Sequence, residues 1–330
     1  MSSMDSNAPL LDVQGLCVDF RTEEGTLHAA DNVGFTLQRG KTLGLVGESG
    51  CGKSVSCMSI PRLIQQPLGK ISAGEIYLDG VDLLKLPEKE MRKIRGRDIG
   101  VIFQEPMTAL SPLIKVDAQV AETVLLHKDC SRKEAFEQAH QWLRKVGIPE
   151  NAFSSYPFQL SGGMRQRVMI AMALVLQPKL IIADEPTTAL DVTIQAQILE
   201  LMRQVRGDDA GLLLITHDMG VIWEMCDDMA VMYASRIVET GPVKSIFANP
   251  LHPYTQGLMR SIPSINTNAK RLEHIPGYVP SLLKLPPGCA FADRCPQCQD
   301  ICRKRRPALT TQPDHRKVAC HLIQHKDTPF

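Results

Sequence analysis

Three groups of residues in this 330-residue chain have the types and spacing needed to handle a phosphate chain. Gly47-Glu48-Ser49-Gly50-Cys51-Gly52-Lys53-Ser54 fits G-x-x-x-x-G-K-[ST], with an apolar run before it and another, 54–63, after it. Glycines there let backbone N–H groups turn inward around a β-phosphate, and the helix that follows adds its positive end. Lys53 would reach the β- and γ-phosphates while the Ser54 hydroxyl ligates Mg²⁺. Cys51 reads as a tolerated small residue whose side chain points away from the phosphates. The second group is the apolar run 180–183 ending in Asp184 and Glu185. A buried strand carries two adjacent carboxylates only where their charge is matched. The pair suits phosphoryl transfer, with Asp184 on Mg²⁺ and Glu185 orienting or deprotonating the attacking water. A chance glycine-rich turn, or a helix cap at a strand end, explains either group alone but not both together.

Phosphoryl transfer depends on positioning and charge neutralisation, and Lys53, Mg²⁺ and Glu185 leave the γ-phosphate open on one side. Leu160-Ser161-Gly162-Gly163-Met164-Arg165-Gln166-Arg167 supplies a second anion cradle at the start of an apolar helix. It resembles the LSGGQ signature of ABC ATPases. That resemblance implies that Ser161, Gly162, Gly163 and Gln166 meet ATP held by a partner subunit. It also assigns roles to further residues in family order. Gln104 resembles the Q-loop glutamine that senses Mg²⁺ and the membrane subunit, so Ser54, Gln104 and Asp184 form the expected Mg²⁺ set. Ala189-Leu190-Asp191 resembles the D-loop. His217 resembles the switch histidine at the γ-phosphate and joins Glu185 and Lys53 as the expected catalytic group. Phe20 fits the aromatic that stacks on adenine. Gly47, Ser49, Gly50, Cys51, Gly52 and Val55 complete the nucleotide contacts. Val55 departs from the wider superfamily, where a second hydroxyl often touches the α-phosphate.

The elements that must position these residues can be read from hydrophobic periodicity. Segments 10–20, 34–38, 42–46, 74–78 and 99–103 read as strands, and 54–63 as a helix. From about 106 to 177 the pattern is helical. Ser131 and Glu134 have capping-box spacing, and Ala135, Ala139, Trp142, Leu143 and Val146 then share one face. Strands return at 180–183, 212–216 and 229–233. Alternating strands and helices predict an α/β fold with a parallel sheet interrupted by a helical insertion. With the resemblance, the expected fold class is a P-loop NTPase nucleotide-binding domain of ABC type, carrying a helical signature subdomain and a small Cys/Pro-rich C-terminal extension. The expected division is 1–247 for the ATPase domain and 248–330 for the extension.

Composition excludes other classes. A formal net charge of +1 and 5% aromatics give no footprint for nucleic acid. No apolar run is long enough to span a bilayer, and the Ser/Asn-rich start lacks the order of a secretion signal, so a cytosolic chain with a peripheral membrane role is expected. Gly47–Ser54, Phe103-Gln104-Glu105-Pro106-Met107, the run 184–197 and His252-Pro253-Tyr254-Thr255-Gln256 are similar to ATP-binding subunits of bacterial dipeptide and oligopeptide importers. The resemblance implies a second ABC ATPase subunit, more often a paralogue than an identical chain. It also implies two transmembrane permeases, an extracytoplasmic peptide-binding protein, and a place on the cytoplasmic face of the inner membrane. Relatives of this kind carry nickel, glutathione or cationic peptides as well, and soluble ABC ATPases of repair or translation are the other class weighed. Those usually hold two nucleotide halves or a long coiled-coil insertion, and this chain has one phosphate loop.

Cys289-x5-Cys295-x6-Cys302-x17-Cys320 looks like the four-cysteine pattern closing this subfamily's extension. Four thiolates there would hold a [4Fe–4S] cluster, with tetrahedral zinc or free thiols as alternatives. Cys298 blurs the ligand choice, and the basic run 303–306 reads as a solvated face.

Overall fold

The computed structural model describes residues 8–187, 191–261 and 274–324, so the Ala189-Leu190 part of the expected D-loop lies outside them. The chain forms two compact units. One contains Leu37–Thr42 and Asp82–Ile215; the other contains Asp12–Thr36, Leu43–Val81 and the chain from Thr216 onward.

In the first unit three strands run parallel. Ile99–Ile102 pairs with Leu180–Asp184 in the register Ile99↔Leu180, and Leu180–Asp184 pairs with Gly211–Ile215 in the register Asp184↔Ile215. Every residue of Leu180–Asp184 is buried, which explains why the strand reads as an unbroken apolar run ending in a carboxylate. Helices Val116–His127, Arg132–Lys145 and Gly162–Leu174 make up most of the span predicted to be helical. The capping box forms as its spacing requires: Glu134 N–H donates to Ser131 Oγ at 3.3 Å, and Ser131 N–H donates to Glu134 Oε2 at 2.8 Å. Ala135, Ala139, Trp142, Leu143 and Val146 are all buried.

In the second unit Thr42–Val46 runs parallel to Asp228–Tyr233, which turns back antiparallel into Arg236–Pro242. The connecting residues Ala234 and Ser235 both have positive φ, 42° and 70°. That is the geometry of a tight hairpin whose twist matches its strands, built here without the usual Asn or Gly. Four further strands form a separate sheet in the order Gly25–Leu37, Leu11–Thr22, Gly69–Leu78, Val81–Asp82. Strand 25–37 is longer than the expected 34–38.

The C-terminal stretch is loop-rich, as its prolines dictate, yet it also adds strands. Lys317–Val318 pairs with Arg236–Pro242 through Glu239↔Val318, and Thr310–Thr311 pairs with Lys317–Val318. Glu239, fully buried, accepts the N–H groups of Leu251 and His252, both at 2.9 Å. His252 Nδ1 accepts Tyr254 N–H at 3.0 Å, capping helix Pro253–Arg260. Burial holds the His252 imidazole neutral and lowers its pKa from 6.5 to about 3. A depressed histidine pKa stabilises the fold fully above the unfolded value and loses about 1.4 kcal/mol per pH unit below it, until the folded value is reached. Acidification from pH 7 to 5 is therefore expected to cost about 2 kcal/mol through this group. His252→Asn keeps a capping acceptor and removes the titration. Urea unfolding of both proteins at the two pH values checks this, with the smaller loss expected for H252N.

Candidate nucleotide site

The phosphate loop lies in the second unit. Gly47, Gly50 and Gly52 have φ of 153°, 76° and 102°. A Cβ on Gly47 would lie 2.1 Å from Met232 O, and one on Gly52 would lie 2.0 Å from Ala29 O, so sterics and backbone both demand glycine there. Lys53 opens helix Lys53–Ser59; it is 5% exposed, and its Nζ donates to Gly47 O at 2.8 Å and Glu48 O at 3.1 Å. The ammonium is thus held over the loop's own carbonyls, where phosphate oxygens need a counter-charge. Ser49, Gly50 and Ser54 are exposed, and Val55 is half-buried. Cys51 is fully buried, and burial raises its thiol pKa. Phe20 is half-buried, and its Cε1 would stand 2.7 Å from a Cβ on Gly69, so the bare glycine lets the chain pass the ring. His217 is exposed in a turn fixed on both sides: Asp218 N–H donates to Thr216 Oγ1 at 3.0 Å, and Asp218 Oδ1 caps helix Met219–Met225.

The carboxylates and the signature lie in the first unit. Asp184 is buried at 7% exposure. Glu185 follows with φ of 44°, a left-handed conformation that a non-glycine residue keeps only when its surroundings enforce it. Its N–H donates to Ile215 O at 2.9 Å, which extends the ladder one residue and aims the side chain off the strand end. Gln104 Nε2 donates to Glu185 Oε2 at 3.2 Å, so two residues 81 apart in sequence meet. Ser161 caps helix Gly162–Leu174 by accepting Met164 N–H at 3.3 Å. A Cβ on Gly162 would meet nothing within 4 Å, leaving that helix end bare for an anion, whereas Gly163 is confined by Ile194.

Gln166, expected at a partner's nucleotide, is 2% exposed in this chain, and its Nε2 donates to Pro186 O at 2.5 Å. About one helical turn from the N-terminus the helix face points inward, and Gln166 ties the signature helix to the turn after Glu185. Asp191 is exposed and caps helix Val192–Val205 through Ile194 N–H at 2.9 Å.

Two residues that sequence reasoning missed close on the phosphate loop. Arg294 grips the Glu48 carboxylate with both ends of its guanidinium, at 2.7 and 2.9 Å. Glu48 N–H donates to the Tyr254 hydroxyl at 2.9 Å. Tyr254 belongs to the His252–Gln256 run, which had served only as a mark of resemblance.

Cys289, Cys295, Cys302 and Cys320 line one small cavity, closed by His252, Phe291 and His321 among others. Burial raises the Cys289 thiol to about 11, and the Cys302, Cys320 and Cys295 thiols around it push in the same direction. The donor set suits a soft metal centre in kind and location, but it is not closed. Among the described residues no three His, Cys, Asp or Glu side chains stand grouped to hold an ion. The basic run is also less free than expected, since Arg306 pairs with Asp31 at 3.0 Å and Arg303 with Asp293.

The ABC transporter family profile matches residues 30–188, and the profile described as the oligopeptide/dipeptide transporter C-terminal region matches 238–302. A dimeric ATP-binding cassette solved in a post-hydrolysis state with ADP and Pi aligns with a TM-score of 0.64 at 28% identity, covering 71% of this chain and 98% of that one. Fold and site therefore define an ABC-type nucleotide-binding cassette, an ATP-hydrolysing enzyme. The dipeptide transport ATP-binding protein DppD of Bacillus subtilis is 48% identical, with 95% of this chain and 94% of that protein covered. The oligopeptide transport ATP-binding protein AppD of the same organism is 47% identical, with 96% and 98% covered. The chain belongs to this family of peptide-transport ATP-binding proteins. No helix among the described residues is long and apolar enough to cross a membrane.

Proposed function

We propose that this chain hydrolyses ATP to drive import of di- or oligopeptides, as one of two ATP-binding subunits beneath two transmembrane permeases fed by an extracytoplasmic peptide-binding protein. The observation that carries this reading is likeness at 47–48% identity along nearly the whole chain, through both the cassette and the C-terminal region. In this reading the chain sits peripherally on the cytoplasmic face of the inner membrane, with 1–247 as the ATPase domain, its helical subdomain at about 106–177, and 248–330 as the extension.

Lys53, Ser54 and the loop glycines hold the triphosphate. Asp184, Gln104 and Ser54 hold Mg²⁺, which supplies charge neutralisation at the γ-phosphate. Glu185 receives or orients the water, and Gln104, hydrogen-bonded to it, couples that carboxylate to the permease contact. His217 senses the γ-phosphate, and Phe20 stacks on adenine. Ser161 and Gly162 cap the nucleotide of the partner subunit, and Asp191 lies at the same interface. Support for a permease contact comes from the exposed apolar residues that follow Gln104: Met107, Leu113 and Ile114, with Leu113 83% exposed. Apolar side chains exposed in the segment after Gln104 are available to such a partner. Affinity purification of the chain from membranes is expected to bring two polytopic membrane proteins in stoichiometric amount, with ATP turnover stimulated by peptide-loaded binding protein. Recovery of the chain alone, or bound to ribosomes or DNA, would refute the transporter role.

In this proposal the four C-terminal cysteines, which line one cavity without being closed around an ion, would have to draw together to hold a [4Fe–4S] cluster. Absorption near 400 nm that bleaches on reduction is the expected result; stoichiometric zinc without colour rejects it.

A further inference from the structure

We infer that Arg294 and Tyr254 are positioning residues for the phosphate loop: they neutralise and pin Glu48 so that the loop can take an anionic nucleotide. The inference rests on the nucleotide-site reading above and goes beyond it, since it assigns part of ATP affinity to the C-terminal extension.

Glu48 places a carboxylate inside a loop whose ligand is a polyanion, and an uncompensated like charge there opposes binding. Arg294 cancels it in a bidentate ion pair, the strong form of such contacts. This is not an exposed pair of small worth: the Arg294 side chain is 6% exposed. Its remaining donors are occupied from behind. Nε donates to Pro276 O at 3.0 Å, Nη2 to Ile275 O at 3.2 Å, and Nη1 to the Tyr233 hydroxyl at 3.3 Å. The guanidinium also lies over the Tyr233 and Phe291 rings, at 5.7 and 5.9 Å. Tyr254 is fully buried, its ring 4.6 Å from that of Tyr233, and its hydroxyl takes the Glu48 N–H. Backbone and side chain of Glu48 are therefore both held by groups that are themselves buried and, for Arg294, fully hydrogen-bonded.

The seat of Arg294 is equally fixed. It ends a short helical turn, Ala292–Arg294, flanked by Cys289 and Cys295, with Ala292 N–H on Cys289 O at 3.0 Å and Cys295 N–H on Ala292 O at 3.3 Å. Extension and phosphate loop thus meet through residues 246 apart in sequence.

The test measures MgATP binding by calorimetry on the full chain, and KM against kcat in the assembled transporter. Arg294→Gln is expected to weaken MgATP binding about tenfold or more and raise KM alike, with kcat within about threefold, because a binding charge is lost and not a transition-state contact. Glu48→Gln combined with Arg294→Gln is expected to recover most of that loss, since the stranded carboxylate is gone. Unchanged affinity in R294Q, or a double variant as weak as R294Q, overturns the proposal and leaves Arg294 a packing residue. If R294Q does not fold, Tyr254→Phe decides: it removes one oxygen and keeps the ring. A loss of about threefold supports the proposal, and none overturns it. Lys53→Ala separates the two levels. If wild type binds MgATP and K53A does not, the nucleotide reading stands whatever R294Q does.

Discussion

Replacement of Glu185 by Gln is expected to cut ATP turnover by about 100-fold or more while leaving MgATP affinity within about threefold. The amide matches the carboxylate in size, so the geometry imposed by the left-handed Glu185 backbone and the Ile215 hydrogen bond should survive. What disappears is the negative charge that orients or deprotonates water. Gln104 donates to Glu185 Oε2, and an amide can still accept that bond through its oxygen, so the loss falls on chemistry rather than on the fold. Because binding persists without hydrolysis, the variant should accumulate as a closed, ATP-bound assembly. Single-turnover kinetics and size-exclusion chromatography in MgATP check both halves. Turnover near the wild-type value would remove Glu185 from the mechanism.

Lys53→Ala should act on the other side of the same cycle, weakening MgATP binding by about 100-fold or more. The ammonium is held on Gly47 O and Glu48 O, so its removal deletes the loop's only side-chain cation and takes a donor from each carbonyl, Glu48 O keeping the Cys51 N–H at 3.3 Å. Equilibrium binding of MgATP is the measurement, with an intact thermal transition showing that the loop, not the fold, is affected.

Both variants concern residues that were legible from sequence, and the reason is steric and electrostatic. Gly47 and Gly52 face backbone carbonyls at about 2 Å from any added Cβ, so no other residue type fits and the pattern shows in the letters themselves. The Ser131–Glu134 cap and the buried face of helix Arg132–Lys145 were readable because both depend on neighbours three or four residues away. Legibility stopped where contacts became distant. The Glu48–Arg294 pair joins one of 36 acidic to one of 37 basic residues, and nothing local marks either. The contact of Gln166 with Pro186 O, 20 residues on, is likewise not marked by anything local. The Ala234-Ser235 hairpin was invisible for the same reason: neither residue prefers positive φ, and the turn is held by tertiary bonds, Ser235 N–H to Cys51 O at 3.0 Å and Ser235 Oγ to His28 O at 2.5 Å. The four cysteines announced a cluster through spacing, and they do share a cavity, but spacing carries no information on whether they close around an ion.

In the proposed cycle one ATP is gripped by the Lys53 loop of one subunit and capped by the Ser161 turn of another. Comparing MgATP turnover of the isolated full chain with that of the membrane complex, each as wild type and as Ser161→Tyr, tests it most directly. The expected result is an isolated chain at least about tenfold slower than the complex, and a complex in which S161Y loses most of its turnover while MgATP still binds. A lone chain as fast as the complex, with S161Y without effect in either, would contradict it.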